Sequence, residues 1–442
     1  MSSTLRESTL KDKLEKLECH FTWNLNGSSY YLKRLKENLE DISTDEDGWL
    51  GPIYNMLGFI HFHVSSTDEA RIFFSRAAEA FSRLRRSDRG PWLMVSYANL
   101  AWCHYHQKEE AQSQFYLSEV EALMKEYPSG SEAELHPEIC AEKGWVLMYD
   151  TKVTASDYLQ RAVEMQPDMV EWQTAYVLCQ EKQSNLVDFV MKLEEAKDRD
   201  PENLYLAAMC LVKRGFSGEK VDENEIDSLA NKVLMKPVSS YKSFRQILKC
   251  YKYFDLVDRA ITVAEKALEK HPDQRYLKRC AAICYKWKVI NGKGSPATHD
   301  MIKRAISLHQ QVVEEYPESS FLINLHLASM YAKTTYDAKK ADAIFQELLD
   351  KDLEPAEKQL LYNVYAKHLY FNRNDSNASM NYHMKVVEIQ HRSFFRLNSI
   401  REVQKNYYRE KCPEMKRKLS ECLRKNTSEE EIIEAMKNDH HV

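Results

Sequence analysis

Two stretches of the chain decide its fold: residues 155–168, ASDYLQRAVEMQPD, and residues 260–273, AITVAEKALEKHPD. Both place small or aliphatic residues three to five positions apart and end in a Pro-Asp pair. Spacings of three and four residues bring side chains to one face of a helix. Each stretch therefore predicts an amphipathic helix that packs closely on a neighbour and then stops at a turn.

The proline-acid pairs recur along the chain at a nearly constant interval. They begin at Pro167, Pro201, Pro272 and Pro317, and Pro237 fills the gap between the second and third. The steps from the first of these prolines to Pro272 are 34, 36 and 35 residues. Because proline tolerates the first position of a helix, and an acidic neighbour suits the positive end of the helix dipole, each proline is expected to start a helix. A period of about 34 residues is typical of tetratricopeptide repeats, in which each unit is a helix-turn-helix.

Small and aromatic residues recur in the same register elsewhere. The further repeat positions are Tyr54, Leu57, Gly58, Ala70, Phe74 and Ala77; Leu327, Ala328, Tyr331, Ala341 and Phe345; and Tyr362, Tyr365, Ala366, Ala378 and Tyr382. The small residues let paired helices approach, and the aromatic residues fill the spaces between them. We therefore predict an all-α tetratricopeptide-repeat superhelix with a concave, tunnel-like inner face.

This superhelix is expected to be one continuous array with three segments. Residues 1–135 hold the N-terminal helices and first repeats, residues 136–287 the middle repeats, and residues 288–442 the C-terminal repeats and a basic helical tail.

Composition agrees with helix and narrows the function. Only 11 glycines and 12 prolines occur in 442 residues, which argues against turn-rich β folds. The net charge of −5 indicates no global basic field, so any nucleic-acid site must be local. Charged residues are scattered through the first twenty positions, and no run of eighteen apolar residues occurs, so neither a secretory signal nor a membrane span is expected. The ten cysteines form no C-x-x-C pair and are expected to be reduced, small hydrophobic residues of a cytosolic protein.

The chain contains none of the common catalytic motifs. It has no P-loop, no G-x-G-x-x-G, no G-x-S-x-G and no H-E-x-x-H. Its histidines show no metal-ligand spacing. We therefore predict no enzymatic activity, no metal and no cofactor. Two classes remain, a nucleic-acid-binding superhelix and a protein-interaction scaffold.

A short N-terminal stretch carries a more specific signal. Residues 17–25, LECHFTWNL, closely resemble the signature of the interferon-induced proteins with tetratricopeptide repeats. Further matches follow in the same order at Asn99–Trp102, Pro137–Cys140, Gly144–Trp145 and Ile283–Lys286. The resemblance covers nearly the whole chain, with a C-terminus about one repeat shorter.

The resemblance implies a cytoplasmic antiviral effector of innate immunity. Such proteins bind the 5′ end of foreign single-stranded RNA, a triphosphate or an incompletely methylated cap, in a basic tunnel. They sequester the RNA and block its translation without cleavage. It also implies oligomers with identical or related repeat proteins, and no membrane partner.

Residue by residue, the resemblance implies a binding site. The residues that would meet the 5′ phosphates are Arg34, Asn38, Lys152, Lys182, Arg245 and Arg279. The residues that would hold the cap or the bases are Trp145, Glu171, Asn203 and Tyr205.

Several positions depart from the family pattern. Four residues beyond Trp145 the family places a phosphate-binding lysine, whereas this chain has Tyr149, with Lys152 as the nearby substitute. Lys182 replaces an arginine and so loses the bidentate fork of a guanidinium. Asn38 stands where the family usually has a glutamine, whose side chain is longer. Arg279 and Cys280 stand where the family has a His-Gln pair.

Each of these residues also has a plain structural interpretation. Trp145 can be a core tryptophan of a repeat, and Arg34, Lys182 and Arg245 can lie on solvated helix faces. The alternative function is therefore an adaptor that binds proteins or other family members in antiviral signalling, with weak or no RNA 5′-end specificity. Tyr149 is the residue that most favours this alternative.

Overall fold

The computed structural model describes residues 10–42, 49–130, 134–149, 152–236, 243–292, 296–334, 337–410 and 417–422. Every regular element in these ranges is a helix, which confirms the all-α prediction. The chain divides into two compact units, unit 1 (residues 1–280) and unit 2 (residues 281–442).

Unit 1 is a series of paired helices. Its helices are α1 (Ser29–Ile42), α2 (Leu50–Val64), α3 (Thr67–Arg85), α4 (Met94–His106), α5 (Glu110–Glu126), α6 (Pro137–Leu147), α7 (Lys152–Met165), α8 (Val170–Cys179), α9 (Leu186–Arg199), α10 (Leu204–Phe216), α11 (Glu223–Met235), α12 (Phe244–Tyr253), α13 (Val257–Lys270) and the first residues of α14 (Arg275–Asn291). Short 3-10 turns occupy Pro91–Leu93 and Gln180–Lys182. Helix α2 packs on α3, α4 on α5, and α6 on α7, as a helix-turn-helix repeat requires.

The small residues of the repeat allow these pairs to approach closely. A Cβ atom at Gly58 of α2 would lie 2.5 Å from the ring of Phe74 on α3, so no larger residue fits without displacing that ring. Phe74 and its neighbours Ala70 and Ala77 are fully buried. The predicted packing role of these positions is confirmed.

The prolines of the ladder lie in turns and do not begin helices. Pro167 is the second residue of a turn closed by the Met169 N–H, which donates to the Gln166 carbonyl at 3.4 Å. Helix α8 begins three residues after this proline. The same offset holds at Pro201, Pro272 and Pro317. A β-turn accepts proline at its second position because the ring presets φ there, so the predicted helix starts are wrong by three residues while the period holds. Pro237 lies outside the described residues.

The N-terminal signature is a structural element. The backbone N–H of His20 donates to Asn99 Oδ1 at 3.2 Å, and the Asn99 amide lies 3.1 Å from His20 Nδ1. The Trp23 indole N–H donates to Glu18 at 2.7 Å. Burial lowers the pKa of His20 to about 3, so the ring is neutral and packs as part of the core. The signature therefore fastens the N-terminal segment to α4.

Unit 2 continues the helical pairs. It contains the remainder of α14 and helices α15 (His299–Glu315), α16 (Ser320–Tyr331), α17 (Ala338–Leu349), α18 (Pro355–Arg373), α19 (Ser376–Glu388) and α20 (Phe394–Glu410). Helix α16 packs on both α15 and α17, and α19 packs on both α18 and α20. Phe345 and Leu361 are fully buried between the helices. Thr298 and Asp375 cap α15 and α19 by accepting backbone N–H groups of their first turns.

Three properties of the described residues bear on function. Eight of the nine cysteines in the described ranges are buried. Within the same ranges, no helix is both long enough and apolar enough to cross a membrane. No group of three or more His, Cys, Asp or Glu side chains in the described part of the chain is placed to hold a metal ion.

Candidate nucleic-acid interface

Helix α1 separates an apolar face from a polar stripe. Its apolar face is buried through Leu32, Leu35 and Leu39. Tyr31, Arg34, Asn38 and Asp41 follow one another at spacings of three or four residues, which places them along one side of the helix. Two of the predicted phosphate residues, Arg34 and Asn38, are exposed on this stripe one turn apart.

The first turn of α1 is tied to the end of α6. The Tyr31 hydroxyl donates to the backbone carbonyl of Tyr149 at 2.7 Å. The ring of Tyr149 meets the Trp145 ring edge to face, with centroids 5.0 Å apart. The position where the family has a lysine is therefore a packed aromatic residue that supports α1.

The last turn of α1 is tied to α14. The Asp41 carboxylate, whose side chain is 4% exposed, lies 3.2 Å from both Arg275 Nε and Arg279 Nη1. Arg275 also pairs with Glu40 at 3.0 Å. Ion pairs as enclosed as these hold both guanidinium groups in fixed orientations. Helix α1, at the start of unit 1, therefore contacts α14, at its end.

This contact unites two of the predicted phosphate residues. Arg279 Nη1 donates to Asn38 Oδ1 at 3.2 Å, although the two residues are 241 positions apart in the chain. Arg34 lies one helical turn before Asn38 on the same stripe. Arg34, Asn38 and Arg279 therefore border one surface of unit 1.

Arg245 lies beside the same part of α14. Its backbone N–H donates to the Tyr276 hydroxyl at 3.2 Å, and its side chain is exposed. Burial raises the pKa of the adjacent Cys280 thiol to about 12, and the positive charges of Arg245 and Arg279 both oppose that shift. The charges of both guanidinium groups thus act on one buried thiol of α14.

Lys249 is a further cation of this surface that was missed from the sequence. It follows Arg245 by one turn on α12. Desolvation and the like charge of Arg245 lower the pKa of Lys249, while Glu181 opposes that shift. The spacing of four residues was the signal that could have identified it.

The segment after α8 lies within electrostatic range of this surface. Lys182 occupies a short 3-10 turn, and its side chain lies outside the described residues. The preceding Glu181 accepts a hydrogen bond from Lys213 Nζ at 2.8 Å. Burial, and then the charge of Glu181, raise the pKa of Tyr205, which packs against the core formed around Phe189. Tyr205 therefore presents a largely apolar ring near these charges.

Trp145 is a core residue. Its side chain is 6% exposed and its ring stacks on Trp49, with centroids 5.8 Å apart and the planes inclined by 16°. The structure therefore gives Trp145 the core packing that was its alternative interpretation, and Trp49 covers one of its faces.

The other predicted cap residues make structural contacts. Glu171 forms an ion pair with Arg85 at 3.7 Å, and Arg85 also pairs with Glu138 at 3.0 Å. Asn203 caps α10 by accepting the Leu206 N–H at 3.3 Å. Neither contact joins these residues to Trp145, so their cap-binding role stays a prediction. Lys152 begins α7, and its side chain lies outside the described residues.

Among the described residues, α1, α12 and the first turns of α14 carry more cations than carboxylates. The cations that border the contact between these helices are Arg34, Arg245, Lys249, Arg275 and Arg279, and the carboxylates paired with the arginines of α14 are Glu40 and Asp41. We call these residues, with Asn38, the α1 surface. A local positive potential in a chain of net negative charge is suited to a polyanion that binds at one place.

The repeat architecture defines the class of protein. The tetratricopeptide repeat family model matches residues 50–126, which span α2 to α5. Two solved structures share the fold over nearly the whole chain. The human IFIT1 dimer with m7Gppp-AAAA is 24% identical, with a TM-score of 0.69, and the match covers 97% of this chain and 99% of that one. The human IFIT1 dimer with PPP-AAAA is also 24% identical, with a TM-score of 0.66, over 96% of this chain and 97% of that one. The chain has the tetratricopeptide-repeat fold.

The relatives define the family more narrowly. Interferon-induced protein with tetratricopeptide repeats 2 of Mus musculus is 28% identical over 88% of this chain and 85% of its own length. Antiviral innate immune response effector IFIT1 of Macaca fascicularis is 25% identical over 92% of this chain and 89% of its own. The chain is thus similar in sequence to interferon-induced proteins with tetratricopeptide repeats over about nine tenths of its length, which confirms the resemblance found in the sequence.

Proposed function

We propose that the α1 surface binds the 5′ end of single-stranded RNA, and that the chain is a cytoplasmic antiviral effector that sequesters such RNA without cleaving it. The observation that carries the proposal is that α14 contacts Asn38 through Arg279 and the backbone of Arg245 through Tyr276, about one turn earlier on the same helix. Relatives described as antiviral effectors, and the IFIT1 structures with m7Gppp-AAAA and PPP-AAAA, support it.

The chemistry of the α1 surface suits a terminal phosphate chain. A 5′-triphosphate concentrates several negative charges in a small volume, and guanidinium forks bind phosphate oxygens in a defined geometry. Asp41 holds Arg275 and Arg279 in place, so less side-chain entropy is lost on binding. A phosphate beside Lys249 would favour its protonated form, opposing the pKa decrease that Arg245 causes.

The RNA behind the first phosphates would be held with little sequence preference. Contacts from lysine and arginine to the backbone do not distinguish bases, and aromatic rings such as that of Tyr205 accept any base. Sequestration by these contacts hides the 5′ end from other proteins and needs no bond cleavage. We therefore expect RNA to be recovered intact after incubation with the protein.

The packing of Trp145 favours a triphosphate over a cap. A cap guanine that stacked on the Trp145 face now covered by Trp49 would first have to displace that ring. Losing an aromatic stack of this kind costs about 1 kcal/mol. We therefore expect 5′-triphosphate RNA to bind more tightly than capped RNA of the same sequence.

Affinity measurements with three matched RNAs test the proposal. The RNAs share one short unstructured sequence and carry a 5′-triphosphate, an unmethylated cap or a 5′-hydroxyl, and all titrations use one salt concentration. The expected order of affinity is triphosphate, then cap, then hydroxyl. Equal and weak binding of all three would contradict the proposal and favour the adaptor alternative.

A further inference from the structure

Unit 2 contains a groove that the RNA proposal does not use. It has a volume of about 560 Å³ and is lined by residues of α14, α16, α18 and α20. Its aliphatic floor consists of Ile290, Leu322, Leu325, Leu360 and Val364. These five residues lie on α14, α16 and α18, which alternate along the chain with α15 and α17. We call this site the unit 2 groove.

The charges lining the unit 2 groove have one sign. Lys286, Lys333 and Lys367 line it, and the described lining contains no aspartate or glutamate. Burial lowers the pKa of Lys367, and Glu402 partly opposes that shift. His326, also in the lining, is kept neutral because burial and the charge of Lys286 lower its pKa. The groove therefore combines an aliphatic floor with a cationic rim.

The rim also exposes a large apolar side chain. Phe371 lines the groove and is 72% exposed, and Tyr370 beside it is 44% exposed. Large exposed aromatic side chains next to an apolar groove are typical of surfaces that a partner covers.

We propose that the unit 2 groove binds an amphipathic helix of a protein partner, one whose apolar stripe is flanked by acidic side chains. A helix of this kind places residues i, i+3, i+4 and i+7 on the aliphatic floor and its carboxylates on the three lysines. The lining includes the aromatic rings of Phe371 and Phe395, but nucleic acid fits less well because the floor itself is made of branched aliphatic side chains, on which bases do not stack. This inference does not depend on RNA binding by unit 1.

A synthetic peptide can serve as the probe. It is a sixteen-residue helix former with leucine at i, i+3, i+4 and i+7, glutamate at the flanking positions and a fluorophore at one end. Two control peptides accompany it: one of the same composition with the leucine stripe scrambled, and one with lysine in place of each glutamate. We expect the full-length protein to bind the acidic amphipathic peptide with a micromolar Kd and both controls at least about tenfold more weakly.

Two variants with the same charge change locate the binding site. K333E/K367E reverses two rim charges, and K303E/K339E reverses two exposed lysines on α15 and α17 that do not line the groove. K333E/K367E should weaken peptide binding at least about tenfold, whereas K303E/K339E should leave it within about twofold. Phe371→Ser, at a mostly exposed position, should weaken it about threefold without changing the melting temperature.

Three outcomes would overturn the proposal. The first is equal binding of the acidic peptide and its controls. The second is equal loss of peptide binding in the two double variants. The third is a groove that fails to bind the peptide but binds a 5′-hydroxyl single-stranded RNA through Lys333 and Lys367, which would assign the groove to nucleic acid.

Discussion

The two units use the same helical pairs to build surfaces of opposite character. On the α1 surface of unit 1, the arginines of α14 are fixed by carboxylates of α1. In the unit 2 groove, lysines surround an aliphatic floor. Fixed guanidinium groups select ligands by geometry, whereas flexible ammonium groups around apolar side chains select them by charge and burial. One scaffold can thus hold a polyanion in one unit and an amphipathic segment in the other.

The difference arises from a helix that lies outside the hairpin series. Helix α1 precedes the first hairpin and contacts the end of α6 through Tyr31 and the start of α14 through Asp41. These contacts place the charged stripe of α1 beside α14. The groove of unit 2 is lined by α14, α16, α18, α20 and the two residues after α16, and apolar side chains of these repeat helices form its floor.

The largest expected effect is on RNA binding by Arg245→Glu. The substitution reverses a charge of the α1 surface and would place a carboxylate beside the incoming phosphates, so we expect about a 100-fold loss of affinity for triphosphate RNA. Because Arg245 is exposed, the melting temperature should be unchanged. Titration with RNA and a thermal melt on the same sample check both points. Binding within threefold of wild type would show that Arg245 lies outside the site.

The free energy of unfolding of unit 1 is expected to depend on pH through one buried carboxyl group, which provides a further comparison with unit 2. Burial raises the pKa of Glu142 in unit 1 to about 8, and Asn55 donates to this carboxyl at 2.7 Å. The folded state therefore keeps a proton that the unfolded chain releases near pH 4.5, so this contribution to stability is lost as the pH rises towards 8. Glu142→Gln keeps the hydrogen bond and needs no proton.

Between pH 6 and 8, unit 1 of the wild type should lose about 2 kcal/mol of unfolding free energy that Glu142→Gln retains. Hydrogen exchange of amides in α6, with amides of α16 in unit 2 as the internal reference, measures the difference. An identical pH dependence in wild type and Glu142→Gln would contradict the assigned burial of this carboxyl.

Trp49 is expected to set the preference between RNA ends. Removing its ring with Trp49→Ala uncovers one face of Trp145, so the affinity for capped RNA should rise about tenfold relative to triphosphate RNA. Trp49→Phe keeps an aromatic stack and should leave the ratio within twofold. Competition between the two RNAs measures this ratio, and an unchanged ratio in Trp49→Ala would show that Trp145 takes no part in cap binding.

The smallest effect is expected from Asp41→Asn. Loss of this carboxylate releases Arg275 and Arg279 from their fixed orientations, so triphosphate RNA should bind about threefold more weakly although the local positive potential rises. Loss of the ion pairs should lower the melting temperature by a few degrees. Asp227→Asn, which removes a carboxylate paired with Arg259 at 3.2 Å on another part of unit 1, is the matched control. Equal RNA affinities in the two variants would contradict the role given to Asp41.

The helices were predictable because their signal is local and periodic. The alanines at 155, 162, 260 and 267 are buried as their spacing requires. The helix starts were misplaced by three residues because proline fits both the first position of a helix and the second position of a β-turn, and the turn prevails here. The helix start and the β-turn are distinguished only by the backbone carbonyl that accepts the hydrogen bond after the proline, which the sequence does not specify.

The site was only partly predictable because its contacts are long-range. The family resemblance suggested Asn38, Arg245 and Arg279, but no spacing indicates that Arg279 pairs with Asp41, 238 positions away. Trp145 illustrates the same limit. Its two interpretations were equivalent in sequence, and the structure distinguishes them by a single stacked ring, Trp49, that belongs to no repeat position.

The central claim is that the two units bind two chemically different ligands independently. The most direct measurement titrates triphosphate RNA and the acidic amphipathic peptide against wild type, Arg245→Glu and K333E/K367E at one salt concentration. Arg245→Glu should lose only the RNA, and K333E/K367E should lose only the peptide. Loss of both ligands in either variant, with helix content and melting temperature unchanged, would contradict the claim and indicate one shared site.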